Sequence, residues 1–231
     1  MKFRLILVIL FSVLAAGCIS PEIQTGVPSE YELPGLNNTT FFYLNGSSIQ
    51  VVESVINATT VDFSTGESGE TNFRNPVAQD LSGKNVTFNV SSVAAFGRSY
   101  VRFEFSSPFS GFVAYTQSDG MDFTRLLTKN SSVRVVLPEN FTTGSKFLGI
   151  AIPNPDNITV DQKGREVLIW KNPYPEPGRI SVKYYPRSAP VMLTFVFIFL
   201  FIAALLISGY YYFGMRALRK KREAVEKGVR K

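Results

Sequence analysis

Hydrophobic positions follow different rules in different stretches of the chain. From Thr39 to about Tyr185, short runs rich in Val, Ile, Phe, Thr and Tyr are interrupted at near-regular spacing by Gly, Pro, Asn and Asp. That rhythm predicts an all-β, sandwich-like, antiparallel domain. Alternation is cleanest where Val86, Phe88 and Val90 oppose Asn85, Thr87 and Asn89, and where Val101, Phe103 and Phe105 oppose Arg102 and Glu104. Side chains alternate across a strand, so both segments predict half-buried strands. The runs place strands at 39–44, 48–56, 58–63, 85–91, 99–106, 111–116, 132–137, 146–152, 157–161, 166–171 and 179–185. Ser64 to Pro76 lacks periodicity and reads as a polar loop, and Asp119-Gly120 and Lys163-Gly164 mark turns, the second within a hairpin. The proline-rich segment from Asn172 to Gly178 cannot be central strand, because proline donates nothing to a ladder.

The pattern changes at Ser188. From there to Met215 no residue carries a formal charge, and Val191 to Ile207 is almost purely aliphatic and phenylalanine. At about 1.5 Å of rise per residue this crosses a hydrocarbon core of roughly 30 Å, so a transmembrane helix is predicted. Tyr210, Tyr211, Tyr212 and Phe213 suit the headgroup level, and Arg216, Arg219, Lys220, Lys221 and Arg222 follow directly. The positive-inside rule then leaves the C-terminus cytoplasmic and the domain outside, as a single-pass protein of the cell membrane. The five basic residues are the candidate contacts to anionic lipid, and Leu218, Val225 and Val229 form a stripe that predicts a short helix lying on the membrane. A disordered flank is the other reading of that tail.

A third pattern opens the chain. Lys2 and Arg4 precede an apolar run from Leu5 to Ala16 and the small residues Ala15-Ala16-Gly17 before Cys18. A charged start, a short apolar run and a small-residue cut describe a secretory signal. The cut resembles a lipobox, making Cys18 the candidate lipidation site; ordinary signal cleavage is the alternative. The resulting layout is a signal peptide over 1–17, a lipid-anchored tether over 18–36, a β-sandwich ectodomain over 37–186, the helix over 188–215 and a basic tail over 216–231.

Charge and composition then narrow the chemistry. Residues 216–231 hold eight Lys or Arg against two Glu, which is the whole formal net charge of +6. The exterior is near neutral, so no nucleic-acid partner is expected. With one cysteine and no histidine, the sequence offers no disulfide, no Cys/His zinc site, no Cys nucleophile and no His base. No catalytic residue, metal site or cofactor is assigned. Asp156, Asp161 and Glu166 could converge across the last hairpin, and solvated rims are the plainer reading. Trp170 reads as core packing or a rim residue, with a sugar platform as the sharper alternative.

Nine asparagines stand in Asn-x-Ser/Thr acceptors: Asn37, Asn38, Asn45, Asn57, Asn85, Asn89, Asn130, Asn140 and Asn157. Composition alone would give about two, so N-glycosylation is predicted. The lipobox, the β-rich exterior, the stretch Asn157-Ile158-Thr159-Val160, the runs Gly164-Arg165-Glu166-Val167-Leu168-Ile169-Trp170-Lys171-Asn172-Pro173 and Ile180-Ser181-Val182-Lys183-Tyr184-Tyr185, and the C-terminal helix with its basic tail together resemble an uncharacterised family of archaeal membrane-anchored proteins. The specific likeness covers 157–185; it implies archaeal origin and this topology, and no activity. The expected role is a non-enzymatic binding or structural module of the envelope, with membrane lipid and possible surface-layer, glycan or other envelope-protein partners. An accessory subunit of a transport, translocation or respiratory complex is the alternative.

Overall fold

The computed structural model describes residues 25–33, 38–64, 73–95, 98–118, 122–127, 131–144, 148–174 and 178–229. The signal segment and Cys18 lie outside these, as do Asn37, Asn130 and the Asp119-Gly120 turn. The chain divides into one compact unit ending at Tyr184 and a second beginning at Tyr185.

The first unit contains β1 (Thr39–Leu44), β2 (Ser48–Ser64), β3 (Phe73–Asp80), β4 (Phe88–Ala95), β5 (Arg98–Ser118), β6 (Asp122–Leu126), β7 (Ser132–Val136), β8 (Phe141–Thr142), β9 (Ile150–Ile152), β10 (Asn157–Val160), β11 (Glu166–Trp170) and β12 (Arg179–Lys183). Its large sheet has eight strands, in the order β10-β11-β7-β1-β2-β5-β3, with β4 pairing the other half of β5. A second sheet has the order β6-β12-β9. Phe42, Val51, Phe103, Val113, Tyr115, Val135 and Leu168 of the large sheet form one core cluster with Phe123, Ile180 and Val182 of the small one. This is the predicted sandwich, antiparallel-rich, with one departure: β1 and β7 run parallel.

The runs read as separate strands at 48–56 and 58–63, and at 99–106 and 111–116, are two long strands. β2 and β5 pair along their lengths, with register shifts between Val55 and Ala58 and between Ala58 and Thr60. Asn57 adopts φ 49° there and its N–H donates to Ser110 Oγ at 2.9 Å. The polar residues and Pro108 that look like breaks therefore sit at a bulge, where the ladder tolerates them.

The polar loop expected from Ser64 to Pro76 ends early, because Phe73 begins β3 and is buried. β3 is a sheet edge with a register shift between Arg74 and Val77, and Asn75 there has φ 51°. Edge position and bulge together accommodate Pro76, whose presence hid the strand. The β6 and β8 strands also lack a visible run, being five and two residues long. The strand expected at 85–91 is displaced: Asn85 makes one bridge to Gln79, and β4 begins at Phe88.

The tether expected over 18–36 is corrected where it is described. Residues 25–33 are a strap packed across the outer face of the large sheet. Gly26 N–H donates to Pro76 O at 3.1 Å, so close that a Cβ on Gly26 would fall 2.5 Å from Asn75 O. A 3-10 turn over Pro28–Glu30 then delivers Tyr31, which is 6% exposed, into a second cluster with Phe41, Val52, Val77 and Ala114. Its hydroxyl donates to Asn75 O at 2.6 Å and meets Thr116 Oγ1 at 3.0 Å. An apolar ring with both polar bonds satisfied explains why a segment with no periodicity folds down.

The second unit holds β13 (Tyr185–Pro186) and the helix α1 (Ala189–Val229). Ala189–Arg222 is long and apolar enough to cross a membrane. Successive residues turn by about 100°, so Tyr210 to Phe213, all exposed, encircle the helix. By the same geometry Arg216, Arg219, Lys220, Lys221 and Arg222 surround it as a collar. The tail continues the axis of the apolar helix without interruption to Val229, which corrects the expectation of a separate helix turned onto the membrane surface.

Candidate functional site

Among the described residues, the outer face of the large sheet is only partly covered. The strap crosses β3, β5, β2 and β1, and beyond it β7, β11 and β10 are left with a groove of about 310 Å³. Phe41, Tyr43, Val136, Val167 and Ile169 make its apolar walls, with Glu32, Arg134, Thr159, Asp161 and Arg165 among them. Register explains the grouping. Phe41 pairs with Arg134, Arg134 with Ile169, and Ile169 with Asn157, giving one row across four strands. Paired residues share a face, so all four side chains are on the groove side.

Phe41 and Tyr43 lie with ring planes 11° apart and centroids 5.9 Å apart. The Arg134 guanidinium sits over the Phe41 ring at 5.4 Å and that of Arg165 over Tyr43 at 5.5 Å. The two arginines are otherwise unlike. Arg165 donates to Glu32 at 3.2 and 2.8 Å and to Asp161 at 2.7 Å. Lys163 also pairs with Glu32. Among the described residues Arg134 makes no ion pair, and its buried Nε meets no hydrogen-bond acceptor.

Electrostatics follow from this clamp. The Arg165 hydrogen bond, working against burial, holds the Glu32 carboxyl below its usual range. Burial pushes Asp161 upward, but hydrogen bonds from Arg165 outweigh it and its pKa is lowered. Tyr43 is pushed up to about 12, first by burial and then by the Glu32 charge. The groove thus holds two satisfied carboxylates, a neutral phenol and one unpaired guanidinium.

The sequence candidates fall elsewhere or apart. Glu166 points to the inner side and accepts from Thr142 Oγ1, Thr143 N and Thr143 Oγ1 at 2.6, 3.0 and 2.6 Å. Asp156 accepts from Lys171 N at 2.7 Å, so the three carboxylates of the last hairpin do not converge. Trp170 is 2% exposed, with Nε1 donating to Pro153 O at 3.0 Å: it is core, and no platform. Among the described residues no three of His, Cys, Asp and Glu gather as a metal site would require.

Seven acceptor asparagines are described, Asn38, Asn45, Asn57, Asn85, Asn89, Asn140 and Asn157, and all are exposed. Asn75, Asn154 and Asn172, outside any acceptor, are exposed too, so exposure permits glycosylation without selecting for it. The hydroxyl positions discriminate better. Thr40, which serves Asn38, is buried, and Thr142, which serves Asn140, is bonded to Glu166. Ser47, Thr59, Thr87, Ser91 and Thr159 are exposed, favouring Asn45, Asn57, Asn85, Asn89 and Asn157. Asn85 and Asn89 face solvent, while Val86, Phe88 and Val90 pack against the core.

Sequence reasoning missed the groove because its members are scattered from Glu32 to Ile169. One signal was present: Thr39-Thr40-Phe41-Phe42-Tyr43-Leu44 does not alternate, and such a strand is covered on both faces.

Fold and topology define the class, a β-sandwich followed by one helix able to cross a membrane. The chain belongs to a family of unknown function, DUF5803, whose model matches residues 82–229. That match includes Arg134, Thr159, Asp161 and Arg165 of the groove and stops short of Glu32, Phe41 and Tyr43. No curated protein matches the chain.

Proposed function

We propose that this chain is a glycosylated cell-surface protein of an archaeal envelope, a non-enzymatic binding or structural module anchored by Cys18 lipidation and by α1. One observation carries the reading: every acceptor asparagine precedes the apolar helix, and the five-residue basic collar follows it. The sandwich is then extracellular and the tail cytoplasmic, with Arg216, Arg219, Lys220, Lys221 and Arg222 among the anionic headgroups of the inner leaflet. Partners are membrane lipid and surface-layer, glycan or other envelope components. The rival role, as accessory subunit of a membrane complex, draws less support from the helix. Thr194, in the second turn of the helix, donates to Pro190 O at 2.9 Å and is satisfied within its own helix.

Proteinase added to intact cells tests the orientation. Loss of the sandwich with retention of the tail supports it; the reverse pattern rejects it. Mass spectrometry of the mature N-terminus tests the anchor, since an unmodified Cys18 or a different cut removes that part of the reading. Mild cross-linking in native membranes separates the two roles, because a stoichiometric multi-spanning partner would favour the rival.

A further inference from the structure

We propose that the groove on the outer face is the seat of the glycan carried by Asn157, so that the sugar completes the sheet. This rests on the glycosylated-surface reading and assigns a place to one glycan. Asn157 and Thr159 are two residues apart on β10 and share the face on which Thr159 lines the groove. From Asn157 the row runs through Ile169 to Arg134, two strands away, which is about 10 Å at the usual strand spacing. The first sugars of a glycan rooted at Asn157 therefore come within reach of the Arg134 side chain, whose buried Nε meets them on a turn of that side chain alone.

Groove chemistry suits that occupant. The buried Nε of Arg134 has a proton to donate and no protein acceptor, and a buried donor left unmet is costly. Sugar hydroxyl, ring and carboxylate oxygens are all acceptors. Glu32 and Asp161 are committed to Arg165 and Lys163, so the remaining charge is the Arg134 cation, which favours an acidic sugar. Ile169, half-buried, offers apolar surface to the C–H face of the ring, with Val136 and Val167 buried beneath. At about 310 Å³ the groove is at the small end of ligand clefts, which typically begin near 300 Å³. A covalent root compensates, since tethering replaces a bimolecular encounter with a high effective concentration.

The seat also answers a structural need. β10 is a terminal strand of the large sheet and exposes Ile158 (51%) and Val160 (64%), a combination that invites edge-to-edge pairing. The opposite edge, β3, is managed by Pro76, a bulge and the strap. The root of a glycan at Asn157, on the opposite face of β10 from Ile158 and Val160, obstructs a strand approaching this edge.

The test uses the full-length protein purified from native membranes, with glycopeptide mass spectrometry and hydrogen exchange. Asn157 is expected to be occupied, and Asn157→Gln to speed exchange at 157–160 and 132–137 by about fivefold, the size of a local opening effect. Arg134→Gln should produce the same increase with the glycan still attached, and adding Asn157→Gln to it should change nothing more. Arg134→Lys keeps the charge but lacks the Nε donor and the planar fork, so it should behave like Arg134→Gln; this guards against misfolding of the first variant. Asn89→Gln, on β4, should leave these amides unchanged.

Each contrary result overturns the seat. Asn157 bare while other acceptors are occupied removes it and leaves the surface glycoprotein reading standing; no occupied acceptor removes both. An occupied Asn157 whose loss leaves exchange unaltered removes the seat alone. If Asn157→Gln protein regains protection only when isolated envelope glycan is added, the groove binds in trans and the in-chain source is wrong.

Discussion

On its inner face the large sheet is covered by a second sheet, whereas on its outer face it is crossed by nine described residues and then left open. Inner contacts are rings and branched aliphatics. Phe63 meets Phe103 edge-on at 5.3 Å, Phe73 meets Tyr115 at 4.8 Å, and Phe42 meets Phe123 at 5.1 Å across the sandwich. Outer contacts are one buried tyrosine, a few hydrogen bonds and the clamp of Glu32 with Arg165 and Lys163. Apolar burial is indifferent to pH and only weakly sensitive to salt, while exposed ion pairs are small and screened. One sheet therefore carries a fixed face and a conditional one.

The largest test of that contrast is Phe103→Ala. Phe103 is fully buried and touches the rings of Phe63, Phe73, Phe88 and Tyr115. Its truncation should cost about 3–5 kcal/mol, as for other buried phenylalanines. Urea unfolding followed by fluorescence of Trp170, the one tryptophan, measures it from within the same core. A loss under 1 kcal/mol would mean that the inner face is not the fixed one.

A smaller loss is expected on the outer side. Tyr31→Phe keeps the ring and removes the hydroxyl that bonds Asn75 O and Thr116. About 1 kcal/mol should go, the net worth of such bonds, with faster exchange confined to the strap. If Trp170 unfolding shifts as much as it does for Phe103→Ala, the two faces are one cooperative unit and the contrast fails.

How far the sequence foretold each face follows the same division. Inner strands are driven by alternation, so Val101, Phe103 and Phe105 announced both their strand and its buried side. Outer structure depends on single residues meeting across long separations. Tyr31 sits in a segment of prolines and glutamates with no period, and its burial depends on Val52, Val77 and Ala114 arriving from three other strands. Arg134 alternates with Val133 and Val135 along β7 as any solvent-side residue would; only the parallel pairing with β1 brings Phe41 against it. Inside the core, Glu53, Gln117 and Arg125 are polar at inward positions, buried to 7%, 5% and 3% exposure, and they blurred the alternation of β2, β5 and β6. The helix was fully legible, because membrane crossing demands a long uncharged run that no local context can disguise.

The smallest effect sharpens the comparison most, because it isolates charge. Glu32 and Asp161 have folded-state pKa values lowered below their ordinary 4.5 and 3.8. A carboxyl lowered on folding contributes stability that is present above its unfolded pKa and is lost as pH falls through the folded one. The clamp should hold at neutral pH and release at pH values below about 4, freeing 25–33. Tyr31 and Tyr43 act in the opposite sense. Both are pushed up to about 12 by burial, so their contribution is present below the ordinary value of 10 and is lost as pH rises toward 12. Between these limits the strap's protection factors, which divide out the intrinsic pH dependence of amide exchange, should be flat. Glu32→Gln removes the charge at every pH, and because the side chain is 42% exposed the loss should be only about 0.2–1 kcal/mol. The informative reading is the shape of the profile. In Glu32→Gln the acid limb of strap exchange should shrink to the part owed to Asp161, while the Trp170 signal keeps its wild-type acid response. An undiminished acid limb in that variant would show that carboxylates other than the clamp hold the outer face down.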